Sequence, residues 1–141
     1  MNSTANEGSQ LTYGEDITLE DVAKIDAFLS ERTFQSERAE RGSGERQVAR
    51  SLRAVRSHLV SEMERGLEFA NSSNVSSDLL EGLHIQIHSA WNALWTLSSP
   101  WQSHPHYDIR RWRHVKFWDA DAELLWRERL ANASDGKGVD C

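Results

Sequence analysis

One stretch decides the fold: residues 48–70 read VARSLRAVRSHLVSEMERGLEFA. Its large apolar residues recur at intervals of 4, 3, 4, 4, 4 and 3, which places them on one side of an α-helix for about six turns. They are Val48, Leu52, Val55, Leu59, Met63, Leu67 and Ala70. The Asn-Ser-Ser-Asn run at 71–74 favours a turn, because these side chains bond to nearby main chain. The stretch therefore predicts one long amphipathic helix.

Helices are also predicted on both sides of this stripe. Thr18 can cap the free amides of a first helix, which ends at the glycines of residues 42–44. A third helix begins at Ser77 or Asp78, carries apolar residues at helical spacing, and stops at Pro100. These signals predict helices joined by short connections, as in an all-α bundle.

Two segments admit a second interpretation. Residues 84–88, HIQIH, alternate like a strand, but apolar residues at helical spacing on both sides favour a helix. The apolar pattern over residues 109–130 predicts one helix, or two shorter helices with a bend near Trp118. In sum, we predict an all-α, single-domain bundle of about four helices with short loops and flexible termini.

The boundaries of this domain follow from composition. Residues 1–16 contain only two large apolar side chains, too few to offset the entropy lost on ordering, so they predict a flexible arm. The helical bundle domain is expected over 17–133. A flexible tail is expected over 134–141.

Length and composition exclude several classes of protein. The chain has 141 residues, a net charge of −6, two prolines and one cysteine, which excludes a collagen-like chain or an internally disulfide-bonded scaffold. No apolar run approaches the ~20 residues of a membrane span, and the polar N-terminus lacks a signal-peptide core. We therefore expect a cytoplasmic protein with no membrane partner.

The net charge hides a segregation of sign. Residues 1–40 contain nine acids and three bases, whereas residues 104–118 contain four bases and one acid. Arg46, Arg50 and Arg53 share one side of the central helix. These arginines either pair with acids of the first helix or, with residues 110–116, follow a phosphate backbone. The acidic segments oppose a polyanion, so a nucleic-acid partner is not expected.

The histidines and nucleophiles give little sign of chemistry. His84 and His88 are four residues apart, and with His104 and His106, or His58, they could supply ligands for a divalent cation. No HExxH or Glu-x-x-His pair accompanies them, so surface or hydrogen-bonded histidines are the alternative. Nucleophile motifs are also missing, and Cys141 is terminal. We expect neither an enzyme nor a cofactor.

Tryptophan is the unusual component. All six tryptophans lie between residues 91 and 126, and several accompany the basic segment. A crowded aromatic core accounts for most of them, but a partly exposed tryptophan beside arginine is typical of an interaction hot spot. The predicted partner-binding residues are Trp101, His104, His106, Tyr107, Arg110, Arg111, Trp112, Arg113 and Trp118.

A family resemblance centres on the same region. Residues 95–101, WTLSSPW, are followed by His104-Pro105-His106-Tyr107 and by Trp112. This pattern resembles a family of small uncharacterised proteins of actinobacteria and their phages, in which a helical segment leads to an H-P-D-Y motif followed by Trp. The segment 27–32, AFLSER, is similar to that family's helical N-terminus. This chain has His106 where the family favours Asp, and it continues for 29 residues beyond Trp112. The resemblance implies a bacterial or phage cytoplasmic origin and no particular activity.

These observations predict a non-enzymatic interaction or regulatory protein, encoded by a phage or mobile element, that modulates a host or cognate protein. The alternatives are a small divalent-metal bundle and a nucleic-acid-binding protein. The helix over Val48–Ala70 could also pair with a second copy to form a homodimer.

Overall fold

A computed structural model describes residues 9–72 and 74–139. It contains four α-helices and two single 3-10 turns, at Gly14–Asp16 and Ser99–Trp101. The helices are α1 (Leu19–Glu37), α2 (Gly44–Ala70), α3 (Ser77–Ser98) and α4 (Ala120–Val139). The described residues contain no strand, which confirms the all-α bundle. Residues 84–88 are helical, so the strand alternative is wrong.

Each of the first three helices begins at a hydroxyl cap. The Thr18 side chain accepts the Asp21 amide, and the Asp21 carboxylate accepts the Thr18 amide in return. Ser43 and Ser76 cap α2 and α3 in the same way, each by accepting one main-chain amide. Gly42 has a φ of +85°, which lets the chain reverse between α1 and α2.

The core lies where α2 packs between α1 and α3. Met63, Ile87, Trp91 and Leu94 are fully buried there. Gly66 brings α2 and α3 close together, because a Cβ atom at this position would lie 2.8 Å from Ile87 Cγ1. The contact therefore fixes the register of the two helices.

The bundle is uneven at one end because α2 has 27 residues and α3 has 22. The two helices are antiparallel, with Gly66 opposite Ile87 and Val55 near Leu97. The first half of α2 therefore extends beyond the end of α3. Here the predicted core stripe meets solvent, with Val48 61% and Val55 48% exposed.

The predicted helix over 109–118 is wrong. Residues 102–118, here called the crossing segment, contain turns followed by chain without regular secondary structure. Their polar groups bond to α3: the Asn92 side chain accepts the Val115 amide and donates to the Val115 carbonyl, both at 2.8 Å. The Trp91 indole donates to the Arg113 carbonyl at 2.8 Å. These bonds replace the intrahelical bonds that a helix would make.

The domain boundaries also differ from the prediction. Leu11 is buried, and its amide donates to the Arg111 carbonyl at 3.0 Å. The Gly14 amide donates to the Phe117 carbonyl at 2.7 Å. The flexible arm is therefore wrong for residues 9–16, because they pair with the crossing segment. Residues 1–8 lie outside the described residues.

The last helix continues past residue 133, the predicted end of the domain. The helix α4 begins where Asp119 accepts the Ala122 amide at 2.8 Å, and it continues to Val139. Its turn-by-turn hydrogen bonding carries it past the predicted boundary. Residues 140 and 141 lie outside the described residues. Across the described ranges, none of the helices combines the length and apolarity needed to cross a membrane.

The Gly66 contact makes a stability prediction. Gly66→Ala forces Ile87 to move, and overpacking of about 1–3 kcal/mol exceeds the gain of up to about 1 kcal/mol from better helix propensity. Gly82→Ala in α3 meets open space, so it should stabilise the fold by about 0.5–1 kcal/mol. Urea unfolding of both variants measures the two opposite signs. Equal effects at the two positions would contradict the close packing at Gly66.

Candidate functional site

The crossing segment is anchored by an aromatic cluster on α1. The Phe28 ring meets the rings of His104, Tyr107 and Trp112 edge-to-face, with centroids 5.5–5.6 Å apart. Tyr107 and Trp112 pack against each other at 4.9 Å. Such contacts prefer this geometry because ring edges are positive and ring faces negative. Phe28, Tyr107 and Trp112 are buried and belong to the core, and His104 lies at its edge.

Arg111 joins three parts of the chain. Its guanidinium donates to both carboxylate oxygens of Asp21, at 2.6 and 2.8 Å, and to the main-chain carbonyl of Asp16 at 2.9 Å. It also reaches the Ser9 carbonyl at 3.3 Å. The hydrogen bond with Asp21 raises the pKa of Arg111 above its ordinary value. Arg111 is thus held inside the structure.

The structure leaves only part of the predicted partner-binding patch accessible. Trp112 and Tyr107 are buried, at 2% and 5% exposure, and cannot meet a partner in this arrangement. Trp118 stacks on His84 with ring centroids 3.7 Å apart and planes 5° from parallel. The sequence could not separate these residues from surface tryptophans, because their burial depends on distant elements. The other seven predicted residues keep some exposure: His106 and Arg110 are exposed, and the half-buried ones are Trp101, His104, Arg111, Arg113 and Trp118.

The histidines do not assemble the alternative metal site. His104 bonds with Arg32 of α1, and its Nδ1 accepts the His106 amide at 3.0 Å. His84 stacks on Trp118, and His88 contacts the Asn92 amide group at 3.3 Å. Within residues 9–72 and 74–139, no three His, Cys, Asp or Glu side chains are grouped as metal ligands require.

Some arginines of α2 pair with acids of α1, as one sequence interpretation expected. Arg53 lies 3.8 Å from Glu37, and Arg56 lies 2.9 Å from Asp26. Arg50, three residues before Arg53, makes no ion pair with any described residue. The stripe is therefore partly neutralised by the protein itself, which weakens its attraction for a phosphate backbone.

An open apolar groove lies at the uneven end of the bundle. Two depressions, of about 320 and 400 Å³, meet there at Val48 and Leu52. We call this surface the end groove and define it by Val48, Leu52, Val55, Leu97 and Trp101. Here α1 lies on one side of the long stripe of α2, and α3 does not extend far enough to cover the other side.

Trp101 lies at the end groove because α3 ends at Ser98 and a tight turn follows it. Pro100 cannot continue an α-helix, and the chain tightens into the 3-10 turn Ser99–Trp101. The Ser98 and Ser99 hydroxyls bond back to carbonyls one turn earlier, both at 2.8 Å. The turn leaves the Trp101 ring half-buried between α1 and α2. Of the predicted patch, Trp101 is the tryptophan that borders an open apolar surface.

The helix α4 also exposes large apolar side chains, on more than one side. Leu124, Leu125, Trp126 and Leu130 are 49–56% exposed, and α4 packs against none of the other helices described. Its first turn is held by Tyr13, whose hydroxyl donates to Glu123 at 2.9 Å. That hydrogen bond raises the pKa of Tyr13. The sequence indicated this helix but not that it leaves the bundle.

Comparison with protein-family models, with curated proteins and with solved structures gives no match to this chain. The candidate site is therefore defined by its geometry and chemistry. The resemblance to the actinobacterial and phage family stays a prediction.

The Arg111 contacts predict a large loss of stability. Arg111→Gln leaves Asp21 buried without its counter-charge, which should lower the free energy of unfolding by about 3–5 kcal/mol. Arg110→Gln changes an exposed neighbour and should have an effect within about 0.5 kcal/mol. Chemical denaturation compares the two variants. Similar losses would contradict the role given to Arg111.

The His84 stack predicts a pH dependence. Burial lowers the pKa of His84 below 6.5, although Asp119 and Glu81 act in the opposite direction. As pH falls below 6.5, the unfolded chain takes up a proton before the folded chain does, so the free energy of unfolding decreases. His104, whose pKa is also lowered by burial and by Arg32, adds to this loss.

The measurement is urea unfolding on both sides of pH 6.5. His84→Gln should reduce the difference in stability between the two conditions, because the variant has no proton to bind at this position. His58→Gln, at an exposed position on α2, is the control and should keep the full difference. An undiminished difference in His84→Gln would contradict the assignment.

Proposed function

We propose that this protein is a non-enzymatic interaction protein whose end groove binds an amphipathic helix of a partner protein. The observation that carries the proposal is the exposure of Val48 and Val55 beside the half-buried Trp101. This apolar surface is contiguous, and Trp101 borders it on one side. Exposing such a surface to water is unfavourable, and surfaces of this kind are typical of protein contact sites.

A helix suits this groove better than a small molecule does. The surface follows α2 for two turns, from Val48 to Val55, and both depressions are open to solvent. An amphipathic helix fills such a surface with side chains at i, i+3, i+4 and i+7. It would also restore the neighbour that α2 lacks beyond the end of α3, with Trp101 as the anchor.

Charge favours an acidic partner helix. Residues 41–56 contain five arginines and one glutamate, a net charge of +4. Arg53 and Arg56 are paired with acids of α1, but Arg41 and Arg50 are exposed and make no ion pair with any described residue. These two cations would steer an acidic helix towards this end of the bundle. We propose a cytoplasmic host or cognate protein as its source.

A pair of labelled peptides tests the proposal. Both are helices of about 16 residues with the same Leu and Trp stripe, one flanked by Glu and the other by Lys. We expect the Glu peptide to bind with a micromolar dissociation constant, by fluorescence anisotropy, and the Lys peptide to bind about tenfold more weakly.

The double variant Val48→Gln/Val55→Gln should weaken binding of the Glu peptide by about tenfold or more, because it removes apolar surface without adding charge. Ser57→Gln, on the opposite side of α2, is the matched control and should bind like the original chain. No binding of either peptide, or equal binding by the double variant, would overturn the proposal.

A further inference from the structure

We infer that α4 of a second copy of this chain occupies the end groove, so that the protein associates with itself through reciprocal helix-in-groove contacts. The inference rests on the proposed function, because it names the partner helix of the same site. Two unpartnered apolar surfaces on one chain, a groove and a helix, carry it.

The first step is that α4 lacks a partner. It has 20 residues, packs against none of α1, α2 and α3, and exposes Trp126 and Leu130. A helix of this length is marginally stable alone in water, and most helices in proteins gain their stability by burying an apolar side. A surface that covers α4 would therefore stabilise it.

The second step is that α4 has the pattern the groove requires. Ala122, Trp126, Leu130 and Ala133 fall within about 80° on one side of the helix. Leu124 points to the opposite side. The stripe presents two large side chains one turn apart, Trp126 and Leu130, so both fit within the two turns from Val48 to Val55 in the groove.

The third step concerns direction. Tyr13 holds Glu123, and Trp118 is stacked on His84, so the first turn of α4 is fixed near the N-terminal half of α3. The end groove lies at the other end of α3, beside Leu97. With its first turn held, α4 extends away from its own bundle and meets the groove of another copy.

Charge supports this pairing. Residues 119–134 of the chain contain four acids and two arginines, a net charge of −2, opposite in sign to the +4 of residues 41–56. The acids include Asp121 and Glu128, both exposed on α4. A reciprocal arrangement about a twofold axis uses this attraction twice and doubles the buried area, which a single helix contact needs to form a stable interface.

The test is sedimentation velocity of the full chain over a range of concentrations. We expect a concentration-dependent dimer for the original sequence. Trp126→Gln should raise the dissociation constant about 30-fold or more, as loss of a central tryptophan does at interfaces. Leu124→Gln, at a similarly exposed position on the opposite side of α4, is the matched control and should leave the dimer unchanged.

A mixing experiment tests reciprocity. The groove variant Val48→Gln/Val55→Gln and the helix variant Trp126→Gln should each be monomeric alone. Their mixture keeps one intact groove and one intact α4, so at high concentration it should form a heterodimer that is weaker than the original dimer, because it has one of the two contacts. Circular dichroism of each variant checks that the bundle is folded, since all three substituted side chains are exposed.

Three other outcomes would overturn the inference, and each can be distinguished from a failure of the proposed function. A chain that stays monomeric up to about 100 µM while still binding the Glu peptide would overturn self-association and keep the groove as a binding site. A dimer that Trp126→Gln does not weaken but the groove variant abolishes would overturn α4 as the occupant. Monomers destabilised by Trp126→Gln would show that α4 covers its own bundle, which also overturns the inference.

Discussion

The ion pair between Arg111 and Asp21 holds the architecture together. Asp21 closes the cap of α1, so the same carboxylate that starts the helix also fixes the crossing segment. Arg111 also donates hydrogen bonds to the main-chain carbonyls of Asp16 and Ser9, which lie in the segment before α1. Because a buried charge without its partner is costly, these segments are stable only together. The aromatic cluster at Phe28 and the Asn92 contacts to Val115 complete the same junction.

The opposite end of the bundle is governed by a difference in helix length. The core ends where α3 ends, and Pro100 makes that end abrupt, whereas α2 continues. The apolar stripe that builds the core in one half of α2 therefore forms a surface in the other half. One sequence pattern thus serves folding and recognition, with Trp101 at the boundary between them.

The sequence alone predicted the helices whose signals are local. The spacing from Val48 to Ala70 predicts α2, and Thr18 predicts the start of α1, because capping and periodicity depend on neighbours within a few residues. It failed where partners are distant. The three-residue spacing of Ile109, Trp112 and Val115 imitates a helix, and nothing nearby reveals the bonds to Asn92. The exposure of Val48 depends on the length of another helix, so its role in a groove was not predictable locally.

The pairing of residues near the two ends has a consequence for synthesis. Leu11 bonds to Arg111 and Gly14 to Phe117, contacts that span about a hundred residues of chain. A ribosome must release the crossing segment before Phe28 and Leu11 can be covered, so the α1–α2 hairpin emerges with part of its apolar surface open. Contacts of such separation form late and slow folding. The nascent chain therefore needs its final third to bury the apolar surface of the α1–α2 hairpin. A product that stops before Arg111 leaves that surface available to chaperones and proteases.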